Sequence, residues 1–301
     1  RLYQGSTVAL DYRTGELKWW AQHHSDMWND DAVYDRILVT TPVNPNPPSP
    51  LGINPNIDPN ESRDLVIGSF SKDAIFYAYD RSDGEFLYAR PTAYQNIIAG
   101  YDGTTGAYEI EPEAIMTADI EHEATICREN RQIPQGAYSP LTNAYYVPAF
   151  NGPCSVMKLN SLEPSLDTGY NTSYIATVPT PAGHLGQPEA INVSTGESLW
   201  RLERETPLYG MLTTGGGLLF AADTNRRFHA VDQWTGKTLW TTILNGASDM
   251  APISYAVNGK QYIAVFAPSG TQAAAQHAGQ LGLSATTGIA NVGHTLFVFS
   301  L

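Results

Sequence analysis

The sequence predicts an all-β chain built from about four β-propeller blades. Three observations lead there: a composition rich in strand and turn formers, one hairpin pattern that recurs four times, and a copy spacing that suits a four-stranded blade. The 26 glycines, 20 prolines and 17 tyrosines favour short strands joined by tight turns over long helices. The recurring pattern is A-x-D-x-x-T-G-x-x-x-W. It reads ALDYRTGELKW from Ala9, AYDRSDGEFLY from Ala78, AINVSTGESLW from Ala190 and AVDQWTGKTLW from Ala230. The last two copies start 40 residues apart, the length of one four-stranded blade.

Each copy has a readable physics. A short strand ends in Ala and Asp, the chain turns through x-x-T-G, and a second strand ends in an aromatic residue. The Asp or Asn side chain accepts backbone N–H bonds inside the turn, and Gly supplies a positive φ. The small Ala leaves room for an indole to pack. The copies at Ala9 and Ala230 keep every fixed position, Asn192 replaces Asp in the third, and Asp83 and Tyr88 replace Thr and Trp in the second. Further strands are expected at 36–41, 65–70, 144–150, 217–222, 262–267 and 295–301. The wider gaps between copies leave room for insertions or for a degenerate blade around 137–148. Residues 41–60 hold seven prolines and five asparagines and are expected to form a surface loop.

Composition narrows the function classes. At 42% hydrophobic and 16% charged residues the chain is globular, and no apolar run reaches the roughly 20 residues of a spanning helix. A net charge of −13 repels phosphate backbones and speaks against a nucleic-acid partner. The first residues carry no charged stretch followed by an apolar one, so a signal peptide is expected to have been removed or to lie outside this sequence. Two cysteines, Cys127 and Cys154, are too few for a disulfide scaffold or a CxxC metal site. They read as one bridge in an oxidising compartment or as two buried thiols. His23-His24-x-Asp26 resembles a metal cluster in composition only, and Glu121-His122-Glu123 reads as a solvated face. The glycines of TTGGGLL precede neither a Lys nor a helix and make a turn, not a phosphate loop. Asn60, Asn171 and Asn192 begin N-x-S/T triplets, the last of them inside a repeat turn.

The repeat resembles the tryptophan-docking motif of the pyrroloquinoline quinone (PQQ) dependent alcohol dehydrogenases, an eight-bladed propeller family. The segments STVALDYRTGELKWWAQ, DMWNDD, SKDAIFYAYDRSDG and QGAYSPLTNAYYVP are similar to that family. So are LYGMLTTGGGLLFAADTNRRFHAVDQWTGKTLW, MAPISYAVNGKQYIAV and the final GHTLFVFSL. The resemblance runs through residues 1–301 and corresponds to the C-terminal half of the family's propeller domain, about half of the eight blades. Because half a propeller leaves sheet faces and edges bare, the other half is expected from a second chain or from the rest of a partial or processed polypeptide. No CxxCH follows, so the cytochrome-fused members match less well.

The resemblance implies a site. Lys72 stands where the family places a Lys or Arg on the quinone oxygens, and a cation there would stabilise negative charge developing on the quinone. On sequence alone it is a solvated loop lysine. DMWNDD resembles the stretch that carries the family's catalytic Asp. In strict register Asn29 occupies the base position, where a neutral amide cannot take a proton, so either Asp30 or Asp31 takes the catalytic role through a shifted loop or the chemistry is altered or lost. Asn29 could still offer a carbonyl oxygen to Ca²⁺. In lanthanide-binding members an additional Asp lies two residues past the base, and Asp31 stands there. Read without the family, these acids are a solvated turn. Gln132 falls where the family supplies an amide to PQQ, with Asn130 nearby. Tyr209 stands where the family has a Trp beside the cofactor, or it is ordinary packing at a strand start. The family also implies a Cys127–Cys154 disulfide with a structural role.

The leading reading is a periplasmic or secreted quinoprotein that oxidises an alcohol, bulky or polymeric ones included, to an aldehyde or ketone. PQQ and a Ca²⁺ or lanthanide ion would be its cofactors, and a cytochrome c its electron acceptor. The alternative is a propeller with the same repeat that acts as a protein-binding scaffold without PQQ. Lys72, the DMWNDD loop and the long insertions over one face favour the enzyme.

Overall fold

The computed structural model describes residues 3–24, 31–115, 122–128, 135–160, 172–268 and 293–300. Among these residues every element is a β-strand except one 3-10 turn at Pro112–Ala114. No helix of the described residues is long and apolar enough to cross a membrane. In chain order the strands begin with β1 (Ser6–Leu10), β2 (Leu17–Gln22), β3 (Ile37–Pro42), β4 (Gly52–Ile53), β5 (Ser62–Gly68) and β6 (Ile75–Asp80). They continue with β7 (Phe86–Pro91), β8 (Ile98–Tyr101), β9 (Tyr108–Ile110), β10 (Glu123–Ile126), β11 (Ala137–Ser139) and β12 (Ala144–Val147). Next come β13 (Cys154–Leu159), β14 (Thr172–Val178), β15 (Glu189–Asn192), β16 (Ser198–Arg201), β17 (Leu208–Thr213) and β18 (Leu218–Asp223). The last are β19 (Arg227–Asp232), β20 (Thr238–Ile243), β21 (Ile253–Val257), β22 (Lys260–Ala267) and β23 (Thr295–Ser300).

The chain divides into two units. The first comprises Arg1–Asn130, Asn151–Gly183 and Ser194–Gly196, and the second Arg131–Phe150, His184–Val193 and Glu197–Leu301. In the first, β3, β5, β6 and β7 form an antiparallel blade whose outer edge is extended by β4. Beside it stand the pair β1–β2, the hairpin β8–β9 and the sheet β10-β13-β14. In the second, β11-β12-β15-β16 and β17-β18-β19-β20 are four-stranded blades, and β21-β22-β23 is a three-stranded sheet. All the propeller sheets are antiparallel and pair largely in sequence order, as β-propeller blades do. Among the described residues three blades are complete and two are partial, where the motif spacing suggested about four. The wide gap between the copies at Ala78 and Ala190 holds the β8–β9 and β10-β13-β14 insertions, while the expected degenerate stretch 137–148 supplies the first half of a complete blade.

All four motif copies occupy the corner between two successive strands, and each contains a β-bulge one residue after its Ala. The Ala sits directly across the strands from the terminal aromatic: Ala9 from Trp19, Ala78 from Tyr88, Ala190 from Trp200, Ala230 from Trp240. The aspartate works as its chemistry suggests, since Asp232 Oδ1 accepts the N–H groups of Trp234 and Thr235 and the Thr235 hydroxyl. The aromatic then docks on the turn of another copy. Trp19 donates its indole N–H to the Arg81 carbonyl at 2.9 Å and lies flat on Gly84, where a Cβ would stand 2.7 Å from the ring. Trp200 repeats this on the Gln233 carbonyl and Gly236, and Tyr88 lies on Gly196. Only a glycine at positive φ accepts both the turn and the ring.

A fifth turn of this kind went unseen in the sequence. Asp102 Oδ1 accepts the Thr104 and Thr105 N–H groups, and Gly106 lies against Phe86. Its hairpin carries Gly100 and Ile110 where the other copies carry Ala and an aromatic, so only the turn chemistry survives. Residues 41–60 also differ from a plain surface loop. Val43, Pro47 and Asn54 are buried, and the Asn44 and Asn46 N–H groups bond to the Ser194 and Thr195 carbonyls inside the first unit.

The cores follow the strand alternation. Trp19, Tyr77, Tyr79, Phe86 and Met157 share one cluster in the first unit, while Trp200 with Tyr146 and Phe220 with Phe228 anchor two in the second. In the sheet β21-β22-β23 one face packs inward through Ile263, Val265, Phe297 and Phe299. The other presents Ile253, Tyr255, Val257, Leu296 and Val298, with Ile253 at 61% and Leu296 at 62% exposure. A sheet apolar on both faces normally has both covered. Cys127 and Cys154 form the expected disulfide, which ties the residue after β10 to the start of β13.

Candidate functional site

Lys72 lies on the six-residue link between β5 and β6, and every residue of that link is buried. It is not the solvated loop lysine that sequence alone suggested. Its ammonium donates to Asp31 Oδ2 at 2.5 Å, with the lysine side chain 5% exposed and the aspartate 42%. A buried cation is thus neutralised by a carboxylate that also faces solvent, which is how a protein keeps a buried charge. The link is held tightly: the Tyr34 N–H bonds to the Phe70 carbonyl, and the Thr92 N–H to the Ala74 carbonyl at 2.7 Å.

Arg36 fixes the segment that carries Asp31. Its guanidinium donates to the carbonyls of Ala32, Tyr34 and Ser6 and to the Thr7 hydroxyl, and it sits 4.9 Å over the Phe70 ring. One side chain therefore joins β1, the Asp31 segment and the Lys72 link. Arginine suits that position because its planar fork makes several bonds while its face stacks on an aromatic ring.

Beneath the pair lies a polar core that the sequence did not reveal. His23 and His24, discounted as a cluster in composition only, are both fully buried. Asp73, the residue after Lys72, is fully buried too. Its Oδ1 accepts the Ile75 N–H, its Oδ2 accepts the Tyr77 hydroxyl at 2.6 Å, and His24 Nε2 lies 3.4 Å from the same Oδ2. Burial pushes the Asp73 carboxyl up, but His24, Tyr77 and Ser71 together outweigh it and hold the group below the ordinary carboxylate value. Burial, and then the Asp73 charge, raises the Tyr77 phenol well above its usual value, so it stays a donor. Tyr77 and Tyr101 share a hydroxyl contact at 2.8 Å, and Tyr101 donates to the His23 carbonyl. No local pattern in the sequence joins Asp73 to His24, because the two are 49 positions apart.

His23 is packed among Phe70, Tyr77 and Tyr79, and burial lowers its pKa from 6.5 to about 3. A histidine whose folded pKa is depressed contributes stability above its unfolded pKa, and that contribution is lost as pH falls through the interval down to about 3. By pH 5 the loss is expected to reach about 2 kcal/mol from this residue. Denaturant titrations at pH 7.5 and pH 5 should show wild type losing that much more than His23→Gln. Equal losses would mean that His23 is not a buried neutral group.

Tyr209 belongs to the second unit, near the start of β17, where it is buried and paired with Ala222 of β18. The next residue, Gly210, has φ +34 and lies so close to the Met250–Ala251 backbone that a Cβ would stand 2.3 Å from the Ala251 nitrogen. The second unit also buries Asp223, which bonds to His229 Nε2 at 3.0 Å and faces Arg204 at 3.5 Å. Those groups tie β18 to β19 and are structural. Asn29, Asp30 and Gln132 lie outside the described residues. Among the described residues no three His, Cys, Asp or Glu side chains gather as a metal-holding cluster. Of the expected site residues, then, the described geometry brings together Lys72 and Asp31.

A buried lysine at a β5–β6 corner, facing a carboxylate among docking repeats, can be compared with known proteins. The family described as "PQQ: Glucose/ethanol/alcohol dehydrogenase, beta-propeller domain" matches residues 176–263. The dehydrogenase subunit of the quinone alcohol dehydrogenase of Acetobacter aceti is 29% identical over 279 residues, covering 88% of this chain and 35% of that protein. The chain is similar to the PQQ-dependent alcohol dehydrogenases. A second relative of this kind, a 1-butanol dehydrogenase (cytochrome c) of Thauera butanivorans, is 28% identical over 88% of this chain and 37% of its own length. Among solved structures a europium-containing methanol dehydrogenase superposes with a TM-score of 0.80 at 23% identity, covering 99% of this chain and 53% of that one. That likeness establishes the β-propeller fold. This chain spans a little over a third of the length of the quinoprotein relatives it matches.

Proposed function

We propose that this chain forms part of a quinoprotein dehydrogenase that oxidises an alcohol to an aldehyde or ketone, with PQQ and a Ca²⁺ or lanthanide ion as cofactors. The observation that carries the reading is the buried Lys72 ammonium held 2.5 Å from the half-exposed Asp31 carboxylate. A fixed cation and a solvent-facing carboxylate fit a quinone oxygen and a hard, oxygen-seeking metal ion respectively. When bound, PQQ supplies the acceptor for a hydride and the metal ion a Lewis acid.

The residues of this chain supply the remaining chemistry. A carboxylate, Asp30 or Asp31, takes the hydroxyl proton of the alcohol, while Asn29 and Asp31 offer oxygens to the cation. Lys72 stabilises negative charge that develops beside it without having to reorganise, because its link is rigid and buried. Gln132 would offer an amide to the cofactor, and Tyr209 an aromatic wall. The Asp31 carboxylate, tied at one oxygen to Lys72, leaves room for bulky or polymeric alcohols at its exposed side.

The rest of the propeller would come from further polypeptide. The uncovered apolar face of β21-β22-β23 supports this, since such a face suits a neighbouring blade. On this reading residues 1–301 are the C-terminal half of the propeller domain, and a cytochrome c takes the electrons. The disulfide suits a periplasmic or secreted protein.

The test is an absorbance spectrum of the complete protein before and after adding PQQ with Ca²⁺ or a lanthanide, followed by dye-linked alcohol oxidation. A quinone band with turnover is expected, and Asp30→Asn and Asp31→Asn then assign the base. A band without turnover points to Asn29 as the mark of a silent site. Absence of a band under either metal would overturn the reading and leave a binding scaffold.

A further inference from the structure

Lys72 meets Asp31 at the solvent-facing side of its link. Its side chain is long and flexible, and the Asp31 carboxylate it meets is 42% exposed and free to hydrate. What is rigid lies on the other side of the link. Ala74 adopts φ 62, a left-handed conformation unusual for an L-residue with a side chain. Such a conformation persists only where the surroundings over-determine it. The surroundings here are the Asp73 carboxylate, which takes the Ile75 N–H across Ala74 and the Tyr77 hydroxyl from the following strand. His24 completes the set, with Nε2 3.4 Å from both Asp73 Oδ2 and the Ser71 hydroxyl. One of these oxygens belongs to an ionised carboxylate that can only accept, so Nε2 carries the proton. Ser71 and Asp73 flank Lys72 in sequence, and His24 touches both. The imidazole thereby bridges the side chains on each side of the lysine.

We propose that the buried His24–Asp73 pair is a positioning device for Lys72, which sets the lysine backbone so that its ammonium meets Asp31 at the candidate site. The functional part of this inference rests on the dehydrogenase reading above, while the geometric part does not. His24 and Asp73 are both fully buried. They act through the link, as a second layer of contacts that orients a working group.

The pair can be tested through lysine chemistry that needs no cofactor. In the complete protein, trace acetic anhydride labelling read by mass spectrometry compares Lys72 with Lys18, which is 53% exposed and serves as an internal reference. Lys72 in wild type is expected to label about tenfold less than Lys18, and Asp73→Ala or His24→Leu to raise its labelling about tenfold. Asp73→Asn keeps an acceptor for the Ile75 N–H but sets its NH2 against the His24 Nε2–H, and should raise labelling about threefold, between wild type and Asp73→Ala. With PQQ bound and sites counted by the quinone band, the disruptive variants should lower kcat per loaded site about tenfold and leave KM within about twofold, whereas mere loss of stability would reduce the number of loaded sites and leave that rate unchanged. A folded Asp73→Ala or His24→Leu protein in which Lys72 stays as protected as in wild type overturns the proposal. Should Asp73→Ala fail to fold, His24→Leu decides by the same criterion. If wild type takes up no PQQ, the dehydrogenase reading fails while the labelling ratio still decides whether the pair positions the lysine.

Discussion

Lys72→Met in the complete protein is expected to lower kcat for alcohol oxidation by about a hundredfold or more, the usual cost of removing one fixed electrostatic partner of a developing charge. The melting temperature should change little. The carboxylate left behind, Asp31, is 42% exposed and can take water in place of the ammonium. Methionine fills the lysine stem volume within a link also held by its backbone bonds, by Phe70 and by Asp73. Lys72→Arg should restore part of the rate, since charge returns but the guanidinium plane does not reproduce a point ammonium. If Lys72→Met turned over at the wild-type rate, the cation would be structural, and the assignment of Asp31 to the chemistry would lose its geometric support.

The largest effect on stability is expected from Trp200→Ala. The indole is 8% exposed, donates to the Gln233 carbonyl at 2.9 Å and lies on Gly236 and near Tyr146. Removing it takes away a buried aromatic and orphans a carbonyl, a loss of about 3–5 kcal/mol. The measurement is the denaturant midpoint of the complete protein. Gly236→Ala should also destabilise, because its φ is +71 and the new Cβ would stand 2.8 Å from the indole. Combined, the two changes should cost less than their sum, since the steric part of the glycine substitution vanishes with the ring. Strict additivity would mean that the ring and the turn do not press on one another.

These expectations show where the sequence was legible. The repeat could be read because its Asp, Gly and aromatic positions each do a job within eleven consecutive residues, so the pattern is local. Asp102 to Gly106 escaped because Gly100 and Ile110 replace the two packing positions, and only the turn bonds identify it. Lys72 and Asp31 were placed by family resemblance, and their contact at 2.5 Å needed coordinates. The His24–Asp73 pair could not be read at all. Its members look like a solvated passage and an ordinary loop acid, and burial is decided by β5, β6 and β8 closing over them. The prolines of 41–60 misled in the same way: they break strands, but Val43, Pro47 and Asn54 still pack inward.

The docking of each aromatic on another copy's turn has a consequence for how stability is shared. Within the first unit Trp19 leans on the turn at Gly84 and Tyr88 on Gly196, and within the second Trp200 leans on Gly236, so each of these couplings joins one copy to the next. An array coupled this way behaves as a one-dimensional chain, in which each unit is steadied by the next and the end units have one neighbour fewer. Trp240, the aromatic of the last copy, meets Phe299 of β23 instead of another copy's turn and is 42% exposed. Closing the array into a ring removes both ends in a single step. Cooperativity in a propeller of this kind is therefore a property of closure, and no single blade holds it.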